Sequence, residues 1–151
     1  MNSVLEELGF EHHIPLQNRE IETKIHQKFH DDADSILGTY KRVNPSLDTP
    51  SYNKDVCCHE LDRKIITRYR VGCHKLRIQT GRLAGESRDR RLCTCEAELQ
   101  TLDHVLFRCP LTADIREVQG QQYNDLEHFF TETNNVTTAA ILKAITKKLR
   151  L

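Results

Sequence analysis

The chain has no tryptophan and a single methionine, and aromatic residues make up only 6% of its 151 positions. Large rings bury the most area per residue, so a core this poor in them must be thin. No stretch approaches the roughly 20 consecutive apolar residues that a membrane-spanning helix needs. The start, Met1-Asn2-Ser3-Val4-Leu5-Glu6-Glu7, lacks the basic residues and apolar run of a secretory signal. The expectation is an intracellular chain, nuclear or cytoplasmic, that is neither secreted nor bound to a membrane. Six cysteines, two of them adjacent at Cys57-Cys58, do not resemble a secreted disulfide framework.

Net charge is also missing, since 22 Lys and Arg balance 22 Asp and Glu. The balance conceals segregation. Residues 1–62 carry 6 basic and 12 acidic groups, residues 63–91 carry 10 basic groups against Glu86 and Asp89, and residues 92–151 carry 6 against 8. The middle block, at plus 8, abuts the most informative stretch of the sequence.

That stretch is 92–110, in which Cys93, Cys95, His104 and Cys109 form a Cys-x-Cys, eight-residue gap, His-x4-Cys series. Three soft thiolates and an imidazole are what a closed tetrahedral zinc site requires. The series predicts one structural Zn2+ ion, with packed thiols or a disulfide as the alternatives. Thr101 is placed to cap a short helix through Phe107 whose first turn offers His104, and Cys109 follows its end before Pro110. Ligation would there supply folding free energy that so short a segment lacks.

Arg91-Leu92-Cys93-Thr94-Cys95, followed by Gln100-Thr101-Leu102-Asp103-His104-Val105-Leu106-Phe107-Arg108-Cys109-Pro110-Leu111, resembles the zinc-binding segment that closes many non-LTR retrotransposon reverse transcriptases. The lead-in, Ile66-Thr67-Arg68-Tyr69-Arg70-Val71-Gly72-Cys73-His74-Lys75-Leu76, is similar to that family's Leu-x-Arg-x-Arg-Thr-Gly-His-x-x-Leu approach. The likeness spans about residues 65–116. It departs at Cys93-Thr94-Cys95-Glu96, where the family often has Cys-Pro-Cys-Gly. The resemblance implies zinc ligation by Cys93, Cys95, His104 and Cys109. It also implies a nucleic-acid-handling appendage of a polymerase, with the rest of a retroelement polyprotein as a partner.

The remaining pattern is helical, with almost no strand signal. Ile21, Ile25, Phe29, Ala33, Ile36, Leu37 and Tyr40 keep helical spacing that Gly38 is expected to end. Asp31, Asp32 and Asp34 sit on that pattern as a solvated face, without the strand hairpin that holds polymerase carboxylates. Asn44-Pro45-Ser46-Leu47-Asp48-Thr49-Pro50-Ser51 reads as a linker. A helix should then run through Val56, Leu61, Ile65, Ile66 and Tyr69 to a cap at Gly72. Cys57, Cys58, His59, Cys73 and His74 read as ordinary packed groups rather than a second metal site. Leu126, Phe129 and Phe130 begin another helix, and Val136, Ala140, Ile141, Ala144, Ile145 and Leu149 define the packed face of a last one.

The sequence therefore predicts a mainly α chain: an acidic N-terminal helical lobe (1–43), a linker (44–53) and a basic helix plus zinc-knuckle domain with C-terminal helices (54–151). A site of three thiolates and a neutral imidazole around Zn2+ carries net charge minus one and does not attract phosphate. Contact with RNA or DNA backbone would fall to Arg68, Arg70, Lys75, Arg77, Arg82, Arg88, Arg90 and Arg91. No nucleophile with a base is evident and four protein ligands fill the metal's coordination sphere, so no enzymatic activity is expected. The rival expectation is a structural or protein-interaction helical domain in which acidic and basic segments neutralise each other and zinc only stabilises the fold.

Overall fold

In a computed structural model the chain divides into two compact units, Met1–Ser35 and Ile36–Leu151. The residues described are Gln27, 38–119 and 125–151. The apolar positions Ile21, Ile25, Phe29, Ala33, Ile36 and Leu37 and the acidic group Asp31, Asp32 and Asp34 lie outside the described residues.

The second unit is helical. Its elements are α1 (Gly38–Val43), α2 (Ser51–Lys54), α3 (Glu60–Arg70), α4 (Arg77–Leu83), a single 3-10 turn at Arg88–Arg90, a π turn at His104–Arg108, a 3-10 turn at Pro110–Thr112, α5 (Ala113–Gln119), α6 (Leu126–Thr131) and α7 (Asn135–Lys148). Among the described residues there is no strand, only an isolated antiparallel bridge between Leu92 and Leu99. The mainly α class expected from the sequence is what the chain adopts.

Helix α3 starts at Glu60, four residues later than its apolar pattern suggests. Asp55 uses its side chain and carbonyl to hold the amides of Cys57 and Cys58 in a turn, and the His59 ring then accepts from Leu61 N–H as the cap. Val56 and Leu61, expected on the packed face, are consequently 93% and 60% exposed. The far end closes as expected: Gly72 has φ +73° and the Cys73 amide returns to the Arg68 carbonyl at 2.8 Å, a left-handed cap that suits glycine. Gly38, expected to end a helix, lies in one.

Helix α7 is capped by Asn134, whose side chain accepts from Val136 N–H at 2.8 Å. Its buried face is Thr138, Ala139, Ile141, Leu142 and Ile145. That stripe is rotated from the one expected, for Val136 and Ala140 are exposed. Three side-chain pairs tie α3 and its entry to α7: Asp55 with Asn135, Asp62 with Lys143, and Tyr69 with Thr146. The partners advance together along both segments, so the two helices run parallel.

Ile66, Tyr69, Phe129, Phe130, Ile141, Leu142 and Ile145 share one buried cluster with Leu102, Val105 and Leu106 from the metal-ligand stretch. Each fully buried aliphatic side chain contributes about 1.5–3 kcal/mol. Residues 44–53, expected to join two lobes, belong to the second unit. Asn44 donates to the Tyr40 hydroxyl and the Asp48 carbonyl and accepts from the Asp48 amide, and Tyr52 is buried in the core.

Candidate metal centre and basic arm

Leu92 and Leu99 bridge a tight loop that carries the first two cysteines. The Cys93 amide donates to the Glu98 carbonyl and the Glu96 amide to the Cys93 carbonyl, both at 2.8 Å. Closing that loop puts Glu96 at φ +61°, a left-handed conformation that glycine adopts freely and glutamate does not. It is the position at which the resembled family carries glycine.

Opposite the loop, Thr101 caps the next turn as the sequence suggests, accepting from His104 N–H at 3.2 Å. The turn is not an α-helix. Cys109 N–H donates to the His104 carbonyl at 2.8 Å, an i to i+5 closure. On an α-helix, residues five apart point roughly 140° apart. The wider turn brings His104 and Cys109 to one side, and Pro110 follows, where it lacks an N–H to extend the turn.

The ligand atoms of Cys93, Cys95, His104 and Cys109 all lie within 4.8 Å of one another, and the four residues are buried or partly buried. This group can hold a metal ion, and it is the one such group among the described residues. Cys93 Sγ and Cys109 Sγ are 3.8 Å apart. Two sulfurs each about 2.3 Å from a shared tetrahedral ion stand about 3.8 Å apart. A disulfide would bring them to about 2.0 Å. Cys95 Sγ lies 3.1 Å from His104 Nε2, against about 3.6 Å for a tetrahedral sulfur–nitrogen edge, so this pair opens by a few tenths of an ångström around an ion.

Burial lowers the affinity of His104 for a proton, which favours the neutral imidazole that a metal requires. Burial pushes the Cys109 thiol up to about 11. Burial also opposes ionisation of Cys95, but hydrogen bonds from the Ala97 amide and the neighbouring thiols outweigh it and hold that thiol below its ordinary value.

Three groups surround the ligands. His104 turns Nε2 to Cys95, so Nδ1 faces outward, where it has no hydrogen-bond partner but stands 3.6 Å from Glu98 Oε2. Glu98 is in turn gripped by Arg108, through Nε at 3.1 Å and Nη2 at 2.8 Å. This order, guanidinium to carboxylate to imidazole, favours a proton on Nδ1 and leaves Nε2, on the Cys95 side, for a metal. The Cys109 carbonyl is held by Arg116 at 2.9 Å, and Arg116 also donates to Thr112, whose hydroxyl donates to the Val105 carbonyl at 2.7 Å. Finally, Gln100 places Nε2 3.8 Å from Cys93 Sγ. The sequence assigns no role to Glu98, Gln100, Arg108, Thr112 or Arg116, although Gln100 and Arg108 fall in the stretch that carries the resemblance. The only available signal was opposite charge at positions 98 and 108, too far apart for any helical rule to pair.

The basic residues separate into two kinds. Arg68, Lys75, Arg88 and Arg90 are exposed and Arg82 is half-buried, and none of the five pairs with a carboxylate among the described residues. Arg77 is exposed but bonds Glu86 at 3.3 Å. Arg91 is turned inward: its guanidinium donates to the Glu86 carbonyl through Nε at 3.0 Å and to the Ile78 carbonyl at 3.4 Å, closing residues 77–91 into an arm. Gly81 makes room for it, since a Cβ there would lie 2.8 Å from Arg91 Cγ.

Arg70, expected at a phosphate, is 4% exposed. Its guanidinium lies over the rings of Tyr52, Phe130 and Tyr40 at 5.3–5.7 Å, so it serves the core as a cation on aromatic faces. Of the residues set aside as packed groups, Cys58 and His74 are buried, whereas Cys57 and Cys73 are exposed.

No protein-family model, curated protein or solved structure matches the chain. No helix among the described residues is long and apolar enough to cross a membrane.

Proposed function

We propose that this chain is a zinc-knuckle nucleic-acid-binding module, of the kind that closes non-LTR retrotransposon reverse transcriptases, without polymerase activity of its own. The observation that carries the proposal is the seating of the four-donor cluster beside an arm on which Arg82, Arg88 and Arg90 pair with no carboxylate among the described residues. Three sulfurs and one imidazole nitrogen suit Zn2+ and leave no ligand position for water or substrate, so the ion's part is structural. Arg68, Lys75, Arg82, Arg88 and Arg90 then offer their charge to phosphate oxygens of RNA or DNA, and Arg77 joins them at the cost of an exposed ion pair worth at most about 1 kcal/mol.

A salt series on RNA and DNA oligonucleotides tests this. Backbone contacts predict a log affinity that falls linearly with log salt, with a slope near −0.9 per phosphate neutralised on duplex DNA and near −0.7 on single strands. Absence of binding at low salt would instead favour the protein-interaction reading, in which the arm faces an acidic protein surface.

A further inference from the structure

Gln100 is buried at 2% exposure, where an unsatisfied carboxamide would be costly. Its Oε1 accepts from the Arg77 amide at 2.8 Å. A backbone N–H can only donate, so this contact settles which end of the carboxamide is oxygen. The other end is therefore NH2, a pure donor, and it faces Cys93 Sγ at 3.8 Å. Its main chain reaches the same arm twice: Gln100 N–H donates to the Arg91 carbonyl at 2.9 Å, and its carbonyl accepts from Ile78 N–H at 3.4 Å. One residue thus holds both ends of the basic arm and one sulfur of the metal centre.

We infer that Gln100 is a positioning residue that couples metal loading of the cluster to the shape of the basic arm. The inference rests on reading the cluster as a metal site. With a metal bound, the Cys93 sulfur is pinned in place, and it holds the NH2 group and, through the rigid carboxamide, the Arg77 amide at the start of α4. Without it, no bond holds the sulfur in that position. The carboxamide then loses its anchor, and the first turn of α4 loses the partner of an otherwise unsatisfied helix-start amide.

The test replaces Gln100 with Glu and uses Co2+ as the metal probe. Gln100→Glu preserves shape and the acceptor for Arg77, but sets a carboxylate oxygen against the thiolate. The expected result is a fall of about 10- to 100-fold in Co2+ affinity and a displaced sulfur-to-cobalt absorption band. In the wild-type chain, the Arg77 and Ile78 amides should exchange with deuterium at least about tenfold more slowly once Zn2+ is added, a response that the substitution removes. Should Gln100→Glu fail to fold, Gln100→Met, uncharged and of similar length, carries the affinity test, and the wild-type exchange measurement stands unaffected. Wild-type Co2+ affinity and spectrum in the variants, or Arg77 and Ile78 exchange indifferent to metal in the wild type, overturns the coupling while leaving the metal site intact. A wild-type chain that takes up no metal overturns both.

Discussion

The Cys109 amide meets the His104 carbonyl at 2.8 Å across a turn one residue wider than an α-helix, and that extra residue sets two metal-ligand candidates side by side. The spacing His-x4-Cys is thus a consequence of the turn: in an α-helix the two side chains would diverge by roughly 140°. Four expected outcomes test how the surrounding residues use this geometry.

Arg88→Ala combined with Arg90→Ala should leave zinc content unchanged and stability within about 0.5 kcal/mol of wild type, since both side chains are exposed and neither pairs with a carboxylate among the described residues. Binding to RNA or DNA should weaken, and the salt slope should shrink by up to about one ion per lost contact. Arg91→Ala should behave differently, because its guanidinium satisfies the Glu86 and Ile78 carbonyls, and it should lower stability by about 1–3 kcal/mol. Parallel melting curves and salt titrations of the two variants check the distinction.

Glu98→Ala removes the carboxylate beside His104 Nδ1 and frees Arg108. The exposed ion pair itself is worth no more than about 1 kcal/mol, so the metal-free chain should melt nearly as wild type. Zinc affinity, measured by competition with a chelating dye, should fall about 10- to 100-fold as the imidazole loses its orienting partner. An unchanged affinity would mean that Glu98 serves only Arg108.

Glu96→Gly places the conformationally free residue where φ is +61°. Relief of about 1–2 kcal/mol of left-handed strain, less about 0.5–1 kcal/mol of extra backbone entropy lost by glycine, should raise stability by up to about 1.5 kcal/mol. A melting temperature higher by a few degrees at unchanged zinc stoichiometry is the expected reading.

His74 is buried against the Tyr69 ring with Nδ1 unpartnered, and burial lowers its pKa from 6.5 to about 4. The folded state therefore keeps it neutral while the unfolded chain accepts a proton below pH 6.5. Its contribution is whole above that value and is lost as pH falls towards 4, to a total of about 3 kcal/mol. Because a metal held by these thiols would also be released in acid, the measurement is a comparison: His74→Phe should lose stability less steeply than wild type between pH 6.5 and 4.

The helical class and the converging donors were legible because each rests on a local rule. Apolar spacing marked α6 through Leu126, Phe129 and Phe130, and ligand chemistry marked Cys93, Cys95, His104 and Cys109 without any knowledge of the backbone between them. Positions decided by tertiary contact were not legible. Arg70 shares its charge and helix with Arg68, yet it is drawn inward by Tyr40, Tyr52 and Phe130 from three other parts of the chain. Val56 fits the apolar stripe of α3 but stands outside it, because the turn at Asp55 and the His59 cap delay the helix start. Gln100 opens the stretch that carries the resemblance, but its role is not legible there, since that role lies in what its two ends touch.

The central claim is that the Cys93, Cys95, His104 and Cys109 cluster is a zinc site that organises this domain. The most direct measurement is the intact mass of the folded protein compared with the acid-unfolded chain, with and without a chelator. The account predicts a folded mass heavier by one zinc ion per chain, less the protons that the thiols give up, and a chelator that removes the ion and collapses the melting temperature together. A folded chain that carries no zinc, takes none up when it is supplied, and melts unchanged in chelator would contradict it.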